Sequence, residues 1–87
     1  MTNWYYLENK AKDVKEKYPE GTRIVLLYMS DPFSPIDPQT RGTVLSVDDI
    51  GTLHCRFDNG RHLGVVPGED SFRKLTAAEL EEEKTQI

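Results

Sequence analysis

The sequence has few of the residues that build covalent or metal-bound frameworks. Its single cysteine, Cys55, excludes an internal disulfide, and no C-x-x-C or H-x-x-x-H pair is present. We therefore predict no metal site and no cofactor. No stretch approaches the roughly 18 apolar residues of a membrane span, and the first residues show no signal-peptide core. These absences predict a cytoplasmic protein in a reducing compartment.

Length and charge narrow the function classes further. A chain of 87 residues forms one domain at most and leaves little room for a catalytic cleft, which favours a binding role over an enzyme. A net charge of −4 disfavours a nucleic-acid partner, because phosphate-binding proteins usually present a basic face. Five basic residues near one predicted hairpin keep that alternative open: Arg56, Arg61, His62, Arg73 and Lys74.

Residues 3–17 have the spacing of an amphipathic helix. One stripe carries apolar residues at intervals of three and four: Trp4, Leu7, Ala11, Val14 and Tyr18. The stripe either packs on the main domain or forms a seam with a partner or a second copy. Trp4 keeps the second alternative open, because exposed aromatic side chains are favoured interface anchors.

From residue 22 the pattern changes to short strands separated by turn signals. Strands are predicted at 22–28, 41–48, 52–57, 61–66 and 71–75. The three prolines of residues 30–39 predict a long, stiff loop, because proline lacks an N–H and restricts its predecessor. A marginal helix is predicted at 77–83, with Thr76 as its cap and Glu79 in the reciprocal position.

The turn at residues 58–60 decides which side chains the predicted hairpin buries. A two-residue loop would place His62 on the apolar face, whereas a three-residue loop closed by Gly60 places Leu63 and Val65 there. We predict the three-residue loop for that reason. It turns three side chains to the opposite face: His54, Arg56 and His62.

The order of strands and loops predicts a mainly β fold, a small five-stranded SH3-like barrel flanked by two helices. The N-terminal amphipathic helix occupies residues 1–18, the barrel 19–75, and an acidic C-terminal helix or tail 76–87. The predicted core consists of Ile24, Leu26, Val44, Leu53, Cys55, Phe57, Leu63, Val65 and Phe72.

Several short motifs follow one another between Tyr18 and Leu75. They are Pro-x-Gly-Thr-Arg, Asp-Pro-Phe-x-Pro, Gly-Thr-Val, Val-Asp-Asp-x-Gly-Thr, Asp-Asn-Gly and Pro-Gly-Glu-Asp-x-Phe. This segment resembles the DUF4314 family of small bacterial and phage domains. The resemblance implies a protein of a phage or mobile genetic element that acts in the bacterial host cell. It carries no catalytic residue over to this sequence.

The loops supply the candidate binding residues. The carboxylates of Asp48, Asp49, Glu69 and Asp70 lie in turns, where aspartate usually bonds nearby backbone N–H groups, so we interpret them as structural rather than catalytic. In the proline loop, Phe33 and Ile36 either anchor a partner or cover the open end of the barrel. A groove for a basic peptide is predicted from Asp31, Phe33, Asp49, Ile50, Pro67 and Asp70.

The sequence thus favours a non-enzymatic protein-binding module, for which an inhibitor of a bacterial defence system is one instance. A small-barrel nucleic-acid-binding protein is the alternative, and a hydrolase using Asp49 and Asp70 ranks third. The acidic run at 79–83 is interpreted as a solvated tail, with mimicry of a phosphate backbone as the other interpretation. A homodimer through Trp4 stays open.

Overall fold

The computed structural model describes residues 4–30, 33 and 36–85, with the side chains of the first helix described from Asn9 onward. The elements are α1 (Trp4–Lys17), β1 (Arg23–Tyr28), β2 (Arg41–Val47), β3 (Leu53–Phe57), β4 (His62–Val65), β5 (Ser71–Lys74) and α2 (Ala77–Thr85). Neither of these two helices has the length and apolar character that crossing a membrane requires.

The five strands form one antiparallel sheet in the order β4-β3-β2-β1-β5. The predicted closure into a barrel is wrong, because no ladder joins β4 to β5 in the described residues. Both strands have only four residues, and a tight corner with an isolated bridge between Pro67 and Asp70 spans the gap between them. The fold is therefore an open, mainly β sheet with two helices.

One face of the sheet carries the hydrophobic core. Seven of the predicted core side chains are buried, namely Ile24, Leu26, Val44, Leu53, Cys55, Phe57 and Val65. Leu63 and Phe72 are partly buried and pack against this cluster. Tyr18, directly after α1, and Ile36 of the proline loop complete this cluster.

The hairpin of β3 and β4 has the predicted three-residue loop. Leu53 pairs with Val65 and Cys55 with Leu63, and the N–H of Phe57 donates to the carbonyl of Arg61 over 2.8 Å. Gly60 closes the turn with φ 90°, a value that favours glycine. Burial raises the pKa of the Cys55 thiol to about 12, so this cysteine stays protonated in the core.

The first helix contacts the sheet through its C-terminal half. Ala11 is buried, Val14 packs against the core, and a Cβ at Gly51 would lie 3.8 Å from both. The side chains of Trp4 and Leu7 lie outside the described residues, so the predicted amphipathic stripe and its dimer seam stay predictions.

The second helix begins with the predicted reciprocal cap. The N–H of Glu79 donates to the Thr76 hydroxyl over 3.1 Å, and the N–H of Thr76 donates to the Glu79 carboxylate over 2.8 Å. None of the residues of α2 is buried. Apolar packing therefore contributes little to holding this helix on the sheet.

Candidate functional site

Asp70 ties two distant parts of the chain together. Its Oδ1 accepts a hydrogen bond from the N–H of Ser30 over 2.9 Å, and its Oδ2 accepts one from the N–H of Val66 over 2.8 Å. The carboxylate thereby joins the segment after β1 to the end of β4. This aspartate has a structural role, as the turn chemistry predicted.

Asp48 organises the turn between β2 and β3 in the same manner. Its carboxylate accepts hydrogen bonds from the N–H groups of Ile50 and Thr52, over 3.1 and 3.0 Å, and lies 3.0 Å from Nε2 of His54. Desolvation opposes ionisation, but the bonds from Thr52, His54 and Ile50 outweigh it and lower the pKa of Asp48.

The other members of the predicted groove lie in two places. Asp49 is fully exposed and pairs with Lys15 of α1 over 3.4 Å, and Ile50 beside it is 63% exposed. Pro67 lies at the corner held by Asp70. No hydrogen bond or ion pair between described residues joins these two places. Asp31 lies outside the described residues, so a single groove stays a prediction.

The two apolar side chains of the proline loop differ in burial. Ile36 is only 5% exposed and belongs to the core, whereas Phe33 is 90% exposed. The base of the loop is bonded to β1, since the N–H of Gln39 donates to the carbonyl of Leu26 over 2.6 Å. Ile36 therefore covers the core and Phe33 is left at the surface.

Tyr28 is an exposed aromatic residue that the sequence analysis did not single out. A bulge between Leu26 and Tyr28 shifts the register with β5, so that Leu26 pairs with Phe72 and Tyr28 with Ser71. Ser71 and Phe72 are neighbours in β5 and face opposite sides of the sheet. The residue paired with Ser71 therefore turns away from the core, and Tyr28 is 61% exposed. The apolar run of β1 does not alternate and gives no signal of this bulge.

The face of the sheet opposite the core carries three arginines from neighbouring strands, which we call the arginine surface: Arg23, Arg41 and Arg73. Arg73 forms two bonds to Glu79, of 2.7 and 3.1 Å, and Arg23 binds Glu83 through Nε over 3.0 Å. Arg41 lies 3.5 Å from Glu83 and 3.6 Å from Glu79. These pairs hold α2 against the sheet.

Charge pairing shifts the pKa values of this cluster. The hydrogen bonds from Arg73 and then from the N–H of Thr76 lower the pKa of Glu79 from 4.5 to about 2. Hydrogen bonds from Arg23 lower the pKa of Glu83 below its ordinary value. Asp58 pairs with the same guanidinium over 2.7 Å, and its pKa is lowered for the same reason. All of these groups are charged at neutral pH.

The interpretation of residues 79–83 as a solvated tail is wrong for two of its glutamates. Glu79 and Glu83 face the arginine surface, whereas Glu81 is exposed and lies 4.0 Å from Lys84 on the same helix. The spacing of four between Glu79 and Glu83 puts them on one helix face, which is a signal in the sequence. Their partners lie far away along the chain and could not be read from it.

The predicted basic cluster is only partly assembled. Arg56 and His62 face each other across β3 and β4 and are exposed with Arg61 at the turn. Arg73 is paired with Glu79, and the Lys74 ammonium lies 5.4 Å from the centre of the Tyr18 ring. A depression of about 260 Å³ is lined by Leu45, His54, Cys55, His62, Leu63 and Gly64.

Within the described part of the chain, no three histidine, cysteine or acidic residues are grouped as metal ligands would be. The fold and its turns define a small, open antiparallel β-sheet protein with two helices. Over residues 7–75 the chain matches the family model described as "Domain of unknown function (DUF4314)", and it belongs to that family. No curated protein matches the sequence.

Proposed function

We propose that this protein is a non-enzymatic protein-binding module of a phage or mobile genetic element, which docks on another protein through the proline loop. Phe33 carries the proposal: it is 90% exposed while Ile36, three residues later, is buried in the core. The two ends of the loop are held, Ser30 by Asp70 and Gln39 by Leu26, which limits the conformational entropy lost on binding, and aromatic side chains are favoured anchors. The bacterial host cytoplasm is the proposed location, and inhibition of a defence protein is one proposed role.

The chemistry around Phe33 favours a partner segment that is basic and carries an apolar pocket or cleft. Asp37 of the same loop is exposed, and Glu69 is exposed at the corner that Asp70 joins to Ser30. Tyr28 adds a second exposed aromatic where β1 ends. These carboxylates would attract lysine or arginine side chains around the inserted aromatic residue.

Two further features support a binding role in place of an enzymatic one. The carboxylates of Asp48 and Asp70 are occupied by backbone N–H groups, which leaves them poorly placed for acid–base chemistry. The strand order β4-β3-β2-β1-β5 supports a relation to SH3-like barrels in an opened form, and we propose that finer fold class here. A fold of this kind hosts many functions, so the proposed binding role rests on the exposed Phe33 and not on the fold.

The experiment begins with a tagged pull-down from host-cell lysate treated with nuclease, with mass spectrometry to identify the retained protein. The affinity of the purified partner is then measured for the wild type, Phe33→Ala and Leu80→Ala. We expect Phe33→Ala to lose about 2 kcal/mol, or about thirtyfold in affinity, as a central aromatic anchor does. Leu80→Ala removes an exposed apolar side chain of α2 and should bind like the wild type. Equal affinities for all three proteins would refute docking through Phe33.

A nucleic-acid-binding protein is the second candidate function. It is favoured by the exposed pair of Arg56 and His62 across β3 and β4, with Arg61 in the adjoining turn. Phosphate contacts release counterions, so affinity for a labelled oligonucleotide should fall steeply with added salt if this candidate is right.

A further inference from the structure

The arginine surface is continuous with the exposed basic residues of β3 and β4. Val25 of β1 has Arg41 on one side and Arg73 on the other as its strand partners. Two residues earlier in β1, Arg23 pairs with Thr43 of β2. Thr43 pairs in turn with Arg56 of β3, and Arg56 pairs with His62 of β4. Basic side chains thus cross all five strands on the face opposite the core.

The helix α2 covers one half of this basic row. It has no buried residue, and its contacts with the arginine surface are ion pairs from Glu79, Glu82 and Glu83. Ion pairs that water can reach contribute little each and are screened by salt. A nine-residue helix is also too short to be stable alone in water, so α2 is free to leave once these pairs are broken.

The chemistry of the covering helix indicates what else the surface can bind. Arg73 holds Glu79 with two parallel hydrogen bonds, and Arg23 binds both carboxylate oxygens of Glu83. Arginine recognises carboxylate and phosphate with the same planar fork of donors. The glutamates of α2 that pair with this surface, Glu79, Glu82 and Glu83, therefore occupy positions that phosphate oxygens could take.

We propose that the arginine surface, together with Arg56 and His62, binds the phosphate backbone of a nucleic acid, and that α2 competes for it from within the same chain. The proposal rests on the second candidate function. With α2 in place only the β3–β4 half of the row is available. Departure of α2 frees Arg41 and Arg73, while Arg23 retains its pair with Asp58. The negative charge of the whole chain is then compatible with a nucleic-acid partner, because much of it lies on the competing helix.

The test compares two double variants with the same change in net charge. Glu79→Gln with Glu83→Gln removes the pairs to the arginine surface, whereas Glu69→Gln with Glu81→Gln removes two exposed charges that do not touch it. Fluorescence anisotropy measures the affinity of each full-length protein for a labelled single-stranded oligonucleotide, and for a duplex of the same sequence, at several salt concentrations. Circular dichroism confirms that each variant is folded.

We expect the first double variant to bind the single strand about tenfold more tightly than the wild type, as for a surface that is covered nine-tenths of the time. It should also show a steeper salt dependence, because more phosphates are contacted. The control pair should change affinity less than about twofold, since it removes only long-range repulsion. Tighter binding of the duplex than of the single strand would also support the proposal, provided that the variants rank in the same order of affinity.

Thr76→Ala provides a variant without any change in charge. It removes the hydroxyl that caps α2, so it should loosen the helix and raise affinity in the same direction. Equal affinities of both double variants would overturn competition by α2 while leaving nucleic-acid binding in place. No binding by any variant would overturn the second candidate function as well. Tighter binding of a labelled polyglutamate peptide than of the oligonucleotide would assign the surface to an acidic protein segment and overturn the proposal.

Discussion

Two groups of carboxylates hold this protein together in different ways. Asp48 and Asp70 accept hydrogen bonds from backbone N–H groups and fix the turns in which they lie. Glu79 and Glu83 of α2 bind arginine side chains of the sheet. The first group bridges backbone N–H groups through side-chain carboxylates, whereas the second holds an exposed helix through hydrogen-bonded ion pairs with arginine side chains.

We infer from this difference that the turns held by Asp48 and Asp70 are a fixed part of the molecule and that α2 is a detachable part. A backbone N–H that loses its acceptor in a partly buried turn is left unpaired, which is costly. An ion pair at the surface exchanges its partner for water and salt at little cost. The turns should therefore tolerate salt and resist opening, and α2 should respond to salt, acid and competing anions.

The largest effect is expected from breaking a turn carboxylate. Asp70→Ala leaves the N–H groups of Ser30 and Val66 without their acceptor and releases the corner from the end of β1. We expect the free energy of unfolding to fall by about 3 kcal/mol, measured by urea denaturation.

Glu69→Ala is the matched control for this change. It removes a neighbouring carboxylate that is exposed, and the free energy of unfolding should change by less than about 0.5 kcal/mol. Similar losses in the two variants would mean that removal of charge at the corner, and not the hydrogen bonds of Asp70, explains the effect.

The fixed part of the molecule was largely predictable from the sequence. The hairpin register followed from which side chains must be buried, and Leu63 and Val65 lie where that argument placed them. The cap of α2 followed from Thr76 and Glu79 alone. Such features depend on residues a few positions apart, where local geometry leaves few alternatives.

The contacts of the detachable part, α2, were not predictable because the paired residues are remote from each other in the sequence. Arg23 and Glu83 are separated by 60 positions, and only the folded sheet brings them together. The prediction of barrel closure was wrong for a similar reason, because closure depends on whether two short edge strands pair with each other. The outward turn of Tyr28 depends on a bulge whose position the uninterrupted apolar run of β1 does not specify.

Acid should loosen α2. Pairing with arginine lowers the pKa of Glu79 from 4.5 to about 2 and depresses the pKa of Glu83. The unfolded chain therefore takes up protons first as the pH falls. The stability that these groups contribute is present above pH 4.5 and is lost as the pH drops towards their folded values.

Urea midpoints measured between neutral pH and pH 2 check this expectation. The wild type should lose stability faster in acid than the variant carrying Glu79→Gln and Glu83→Gln, because the variant lacks both titrating groups. Asp48 and Asp58, whose pKa values are also lowered, remain in both proteins and set the common background. Parallel pH profiles would show that the contacts of α2 do not contribute to the acid sensitivity.

The smallest effect, and the sharpest contrast between the two groups, is expected from salt. In about 1 M NaCl the Debye length is about 3 Å, so the pairs of α2 with the arginine surface are screened while hydrogen bonds to turn amides persist. Amide hydrogen exchange followed by NMR should become faster at Leu80, whose N–H donates to the carbonyl of the capping residue Thr76 at the start of α2. The amides of Thr52 and Val66, which donate to Asp48 and Asp70, should exchange at unchanged rates and serve as internal controls.

Equal acceleration at all three amides would indicate general destabilisation, and no acceleration at Leu80 would mean that α2 is held by more than charge. Selective exchange at α2 is the outcome that a helix competing for the arginine surface requires, because only a helix that opens while the sheet stays folded can give up its place to another anion.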